Sequence, residues 1–418
     1  MTLFSGCQVD IVDEARQASG TVAASIANLP ATILPVHFNK AAYIDSDFSI
    51  PNAVIESDAD FTVIRSFFST NRSSNPVAEH IAGFGQRRTT GATFGKTYTI
   101  VRRDGASFNI EPDSLINVNI GEPPKNRLTL GHNEIQERED FVRNVIALIS
   151  RSENFSGLLY IHGFNVSFEE AANNTAKLSY DLGFTGQPFF FSWPARGSVP
   201  SYTADREDMK SSQPALRSMI RDILTLTPIT QLYIVAEGMG AALVSHALKN
   251  TFATHPEFRQ RISEIVLIAP DIDRTEFIDE LAPFIASAER PVTLYASNDY
   301  PGLNFQKQLG ERVLQTVNES SGLRAIEAAE TRSLAGDTEN GPLVVNHVET
   351  IDMGVANTPL SEAQGFADPG AILEDLWDLI NNGNRANSRS QLTACYSPDG
   401  THWAFAPDRF GTPDTCQR

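Results

Sequence analysis

The sequence predicts an α/β fold, with a mostly parallel central sheet and helices on both faces. Two observations carry this. From Gly157 onward, short apolar runs alternate with amphipathic segments of helical spacing, the pattern of strands joined by crossover helices. The composition, 41% hydrophobic and 20% charged over 418 residues, is that of a globular chain able to bury one large core.

Residues 1–60 mix short apolar runs with Pro, Asn and Asp without a sustained period and read as an irregular leader. Val63 to Ser69 and Thr97 to Val101 are β-favouring runs separated by a Gly- and Arg-containing loop. After a Pro- and Asn-rich connection, Glu137 to Ser150 carries Phe141, Val142, Val145, Ile146 and Leu148 at helical spacing. Strands follow at Leu158 to Ile161, Phe189 to Ser192, Gln231 to Val235, Ile262 to Ile268, Val292 to Ala296 and Leu343 to Val348. Helices are expected at Ser167 to Leu182, with Ser167 as N-cap, and at Pro214 to Leu226, Met239 to Leu248 and Ala371 to Ile380. The main domain is thus 61–382, and 383–418 reads as a polar appendage packed on it.

Charge narrows the function. With 33 Lys plus Arg against 51 Asp plus Glu, the net charge of -18 repels phosphate backbones, and no basic patch stands apart, so nucleic acid is not an expected partner. No run approaches the roughly 20 apolar residues of a membrane span. Leu3-Phe4-Ser5-Gly6-Cys7 has the small residues and cysteine that end a bacterial lipoprotein signal, but the residues before Cys7 are too few for the usual apolar stretch of about 7 to 15. Either a precursor has been trimmed or the match is accidental. The first reading gives a lipid anchor at Cys7 and a periplasmic or outer-envelope location; the other leaves a cytoplasmic one. Cys395 and Cys416 remain as an even pair able to close one disulfide in an oxidising compartment, against the alternative of reduced thiols.

Two motifs carry chemistry. In Tyr160-Ile161-His162-Gly163-Phe164-Asn165 a strand ends in His-Gly, an arrangement hydrolases use to aim a backbone N–H at a developing oxyanion; the structural alternative is a tight turn at Gly163. In Val235-Ala236-Glu237-Gly238-Met239-Gly240, strand, sharp turn and helix follow with small flanks around an apex, as in a nucleophile elbow. The apex is Gly238, which relieves backbone strain but supplies no nucleophile.

With Phe68-Ser69-Thr70-Asn71-Arg72, Phe191-Ser192-Trp193-Pro194, Ala204-Asp205-Arg206-Glu207, Ala269-Pro270-Asp271-Ile272-Asp273 and Ser297-Asn298-Asp299-Tyr300 in order, residues 62–382 resemble an uncharacterised bacterial α/β-hydrolase-like family of the serine esterase/lipase superfamily. The resemblance implies a serine at the apex, an acid after a late strand and a histidine before the last helix. Gly238 stands at the serine, Glu237 replaces the histidine that precedes it in the family, and Ala363 falls at the catalytic histidine position. Asp299 keeps the acid position, with Asp271 as second choice. The pocket and oxyanion positions are His162, Gly163, Phe164, Glu237, Met239 and Trp193.

Substitutes are few. His347 falls in an expected strand, His402 lies in the tail, and Glu237 as a carboxylate nucleophile would leave the bulky Val235 and Met239 as flanks. Trp193-Pro194 can simply end a strand, and Asp205, Arg206 and Glu207 fit either an ion-paired solvated face or a lid. Asp271 and Asp273 lack the companions of a metal site, so no metal and no cofactor is expected. The expectation is an impaired hydrolase that binds a small acyl- or ester-like ligand or a protein partner. The alternative is an active ester or amide hydrolase with a relocated nucleophile.

Overall fold

A computed structural model describes residues 54–57, 61–78, 81–102, 128–150, 155–196, 201–287, 289, 291–296, 342–353 and 369–405. Its strands are β1 Val54–Ser57, β2 Phe61–Ala78, β3 Ile81–Arg102, β4 Leu128–Gln136, β5 Ser156–Ile161, β6 Gln187–Ser192, β7 Gln231–Glu237, β8 Ile262–Ile268, β9 Val292–Ala296, β10 Val348–Asp352, β11 Leu392–Ser397 and β12 Gly400–Phe405. They form one sheet in the order β11-β12-β10-β9-β8-β7-β5-β6-β2-β3-β4, with β1 against β2. From β2 across to β12 every pairing is parallel; β1, β3, β4 and β11 are antiparallel to their neighbours. This is the α/β-hydrolase fold.

The helices are α1 Arg138–Ile149, α2 Phe168–Asp181, α3 Tyr202–Leu226, α4 Gly238–Thr254, the short α5 Arg274–Glu276 and α6 Ala282–Ile285, and α7 Pro369–Trp377. Alternate residues of each strand feed two cores. Leu159, Ile161, Ile234, Ala236 and Leu267 pack with Phe141 of α1, Leu216 and Ile220 of α3 and Leu243 of α4. Tyr160, Phe190, Val235 and Val266 pack with Phe168 and Leu178 of α2 and Leu373 and Leu376 of α7 on the other face. β5 is buried throughout because both its faces are covered. The N-terminus of α2 is a capping box: Ser167 Oγ accepts from Glu170 N at 3.1 Å, and Glu170 Oε2 accepts from Ser167 N at 2.7 Å.

Several expectations need correction. The loop between the first two strands is instead part of a continuous β2–β3 hairpin with bulges at Thr70/Arg72 and Arg72/Ser74. β2 hides its pattern because it buries Arg65, Ser66, Ser69, Thr70, Asn71 and Arg72. α3 begins at Tyr202, twelve residues ahead of Pro214, since its inward stripe holds Asp205 and Ser212 where apolar residues would have signalled a helix. The strand expected at Leu343 to Val348 is β10, Val348–Asp352; His347 lies in the turn before it with φ 65.

The polar tail also joins the main sheet. β12 pairs with β10 in parallel, and β11 closes the edge. Arg389 ties this region down: its Nη1 donates to Asp375 Oδ2 at 2.7 Å and its Nη2 to Glu349 Oε2 at 3.0 Å, while Tyr295 OH donates to the same Asp375 oxygen at 2.5 Å. Arg385 adds Glu349 and Glu264. Cys395 is disulfide-bonded; Cys416, its expected partner, lies outside the described residues. No described helix is long and apolar enough to cross a membrane.

Candidate functional site

The strand order reverses at β5, which has β6, next in the chain, on one side and β7 on the other. Ligand crevices of open α/β sheets lie at such switch points, beyond the carboxyl ends of the strands. Residues 162–166 after β5, 193–196 after β6, the β7–α4 turn and 269–273 after β8 are placed at that edge.

Gly238 opens α4 with φ 49, while Glu237 before it is extended at φ -118, ψ 142. The left-handed residue of the turn is therefore Gly238, where a side chain would be strained. Two residues on, a Cβ at Gly240 would lie 2.7 Å from the Ile161 carbonyl oxygen and closer still to that of His162. The turn can seat against β5 only with glycine there. Met239, between them, is fully buried in the α3–α4 core.

Glu237 shares the strand face of Val235 and hydrogen-bonds Tyr160. Burial pushes its carboxyl up to about 8, against the opposing effect of Tyr160. Its Oε1 has no hydrogen-bond partner. It is a buried acid on the α2 side of the sheet, and the position of a nucleophile at the turn belongs to Gly238.

His162 is fully buried. Its Nδ1 lies 2.8 Å from the Gly163 carbonyl and its Nε2 3.2 Å from Ser192 Oγ and 3.5 Å from Arg72 Nη2. Burial, and then the Arg72 charge, push the imidazole down to about 3, so the ring is neutral at ordinary pH. Trp193 stacks on it at 5.2 Å and 13°, and the indole N–H donates to the His162 carbonyl at 2.9 Å. Trp193 is thus fixed beneath the turn.

Arg72 is also buried. Its Nε donates to Ser192 Oγ at 2.8 Å, Nη1 to Ala195 O at 3.2 Å and Nη2 to Val166 O at 2.6 Å, while Thr70 Oγ1 donates to Ser192 O at 2.6 Å. Phe68 packs edge-on to Phe84 and Phe168. The Phe68, Thr70 and Arg72 positions of the sequence motif therefore join β2 to the ends of β5 and β6. Burial pulls the guanidinium down to about 10, but it remains charged.

Asp271 lies beside the elbow: its N–H donates to the Gly238 carbonyl at 3.0 Å, and Tyr202 OH donates to its Oδ2. Tyr202 also meets Phe164 edge-on at 5.6 Å. Burial raises the Asp271 carboxyl above the usual range. Asp205 is likewise buried, accepting from Arg196 N at 3.2 Å with both oxygens, which corrects the solvated-face reading for this residue.

The structure thus brings His162, Gly163, Phe164 and Trp193 beside the Gly238 turn, whereas Glu237 faces the α2 side of the sheet and Met239 the α3–α4 core. Asp299 and Ala363 lie outside the described residues. His347, preceding β10, is at the amino edge of the parallel strands, opposite the elbow. His402 is on β12, four strand positions from β7, or roughly 19 Å at about 4.8 Å per strand. Both its ring nitrogens are buried without hydrogen-bond partners. Sequence reasoning missed the placement of Arg72, Ser192 and Tyr202 beside these strand ends; the two-residue spacing of Phe68, Thr70 and Arg72 was the available signal for the first.

Residues 137–329 match the family described as alpha/beta hydrolase of unknown function. An uncharacterised protein of Nostoc sp. is 28% identical over 30% of this chain, and the match spans 37% of that relative's length. Similar solved structures include a CIB-like hydrolase from Thermoplasma acidophilum (14% identity, 55% of this chain and 88% of that one, TM-score 0.27). They also include Trichoderma reesei cutinase (18%, 37% and 69%, TM-score 0.23) and an esterase of Pyrobaculum calidifontis (13%, 59% and 74%, TM-score 0.26).

Proposed function

We propose that this α/β-hydrolase-fold protein lacks ordinary serine-hydrolase chemistry and acts by binding a small acyl- or ester-like ligand or a protein partner. The observation that carries the reading is Gly238: the left-handed residue at the turn from β7 into α4 has no side chain to attack a carbonyl. Ala363 at the expected histidine position removes the base as well. Ser192 and His162 are in contact, but both are fully buried and His162 is held by Gly163 and Trp193. That pair is a structural tie in this reading. Dismantled triads commonly retain about 1,000- to 10,000-fold acceleration over water, so a trace of esterase turnover is compatible with it. We place the chain at the cell envelope, anchored through Cys7; the disulfide at Cys395 supports an oxidising compartment.

The test is fluorophosphonate labelling with short-chain ester turnover, on the parent chain beside a Gly238→Ser/Ala363→His variant. The expected result is no labelling of the parent and labelling of the variant. Stoichiometric labelling and turnover by the parent would overturn the proposal, and the labelled residue would identify a relocated nucleophile.

A further inference from the structure

At the far edge of the sheet, His402 of β12 is 1% exposed, and among the described residues neither of its ring nitrogens has a hydrogen-bond partner. Burial pulls the imidazole below its ordinary value against the opposing charge of Asp352 at the end of β10, so the ring is neutral at ordinary pH. A neutral ring carries one N–H and one bare acceptor nitrogen, and leaving both unmet inside a protein costs free energy. Cys395 stands across from it. The antiparallel register of β11 and β12 pairs Cys395 with His402, which puts both side chains on one face with their first carbons about 4.5–5.5 Å apart. Cys395 is as buried as His402 and is disulfide-bonded, and a disulfide sulfur has no hydrogen to donate. The Thr393 carbonyl, 3.7 Å from Cys395 Sγ, is therefore only a contact while the bond stands. Reduction turns the sulfur into a donor opposite an unmet acceptor. A partner that waits for the reduced form stabilises it, and a disulfide whose reduced form is stabilised opens more readily.

We propose that the disulfide at Cys395 is a redox-sensitive tie at the β11–β12 edge, with His402 as the built-in acceptor of the Cys395 thiol once a dithiol has opened it. In the opening step a thiolate of the dithiol attacks the partner sulfur, the S–S bond breaks, and Cys395 Sγ leaves with the bonding pair and takes up a proton. The second thiolate of the dithiol then displaces the partner sulfur, which is protonated in turn, as the dithiol closes to its own disulfide. Two electrons pass to the protein and the reductant is oxidised. The β11–β12 pairing is held by backbone hydrogen bonds and survives, so the tie opens without dismantling the sheet edge.

The experiment equilibrates the full chain with mixtures of reduced and oxidised dithiothreitol, quenches in acid and reads the Cys395 thiol by maleimide labelling and peptide mass spectrometry. The parent is expected to be half reduced at a roughly tenfold lower ratio of reduced to oxidised dithiol than His402→Phe, about 30 mV for a two-electron couple. His402→Gln, which keeps an acceptor, is expected to recover part of the difference. Nitrogen-15 NMR of the parent is expected to show the bare His402 nitrogen without a hydrogen bond in the oxidised protein and hydrogen-bonded after reduction. Equal midpoints for the parent and a folded His402→Phe variant would overturn the proposal. So would a His402 ring unmoved by reduction, which would assign the thiol hydrogen to the Thr393 carbonyl, or an acceptor nitrogen already bonded in the oxidised protein. An unlinked Cys395 in the oxidised parent would overturn it as well. Should the His402 variants fail to fold, the NMR of the parent decides.

Discussion

Gly240 lies against His162 so closely that a side chain at 240 would run into the His162 carbonyl oxygen, with the Ile161 carbonyl 2.7 Å from its first carbon. Both obstacles are backbone, which cannot swing aside. Gly240→Ala is expected to cost about 1–3 kcal/mol, the usual range for forcing a carbon into a packed interior. Chemical denaturation measures it. An unchanged midpoint would mean that the β7–α4 turn moves freely off β5.

Gly238 is a different kind of glycine, required by conformation. At φ 49, Gly238→Ala is expected to cost about 1–2 kcal/mol, whereas Gly238→Asn, whose side chain tolerates the left-handed region, should cost less. Equal losses would assign the cost to crowding and not to backbone strain.

Glu237 predicts a pH dependence. Burial pushes its carboxyl up to about 8 in the folded protein against an ordinary 4.5, so between these values the folded chain holds a proton that the unfolded chain has released. Stability from this group is present at low pH and is lost as pH rises through the window, by an amount on the order of a few kcal/mol. Glu237→Gln, which preserves a side chain able to bond Tyr160, should flatten the slope of unfolding free energy between about pH 5 and 8. If the slope survives, Asp205, raised to about 6, is the next group to test.

Arg389, just ahead of β11, holds Asp375 and Glu349. Removing it by Arg389→Met leaves two carboxylates without their shared cation, and the expected loss is about 3–5 kcal/mol. Hydrogen exchange should accelerate first in β11 and β12, while β5 and β7 stay protected. Uniform acceleration would show that the edge is not a separately opening unit.

The parallel half of the fold was legible because β5 through β9 are short apolar runs, and periodicity reads burial directly. Ser167 announced the start of α2 through local hydrogen bonding alone. The part of the β2–β3 hairpin between the runs Val63 to Ser69 and Thr97 to Val101, and the first half of α3, were not legible for the converse reason. Their buried positions hold Thr70, Arg72, Asp205 and Ser212, and a buried polar side chain signals burial only once its partner is known.

By itself, the sequence determined that a strand, a tight turn and a helix meet at Gly238, and that this apex has no nucleophile, since side-chain identity is local information. Only the tertiary structure decided that Arg72 and Ser192, 120 positions apart, share a hydrogen bond, and that the bond ends through His162 on the Gly163 carbonyl. Those contacts follow from β2 lying parallel to β6, a pairing of strands distant in the chain that no local period encodes.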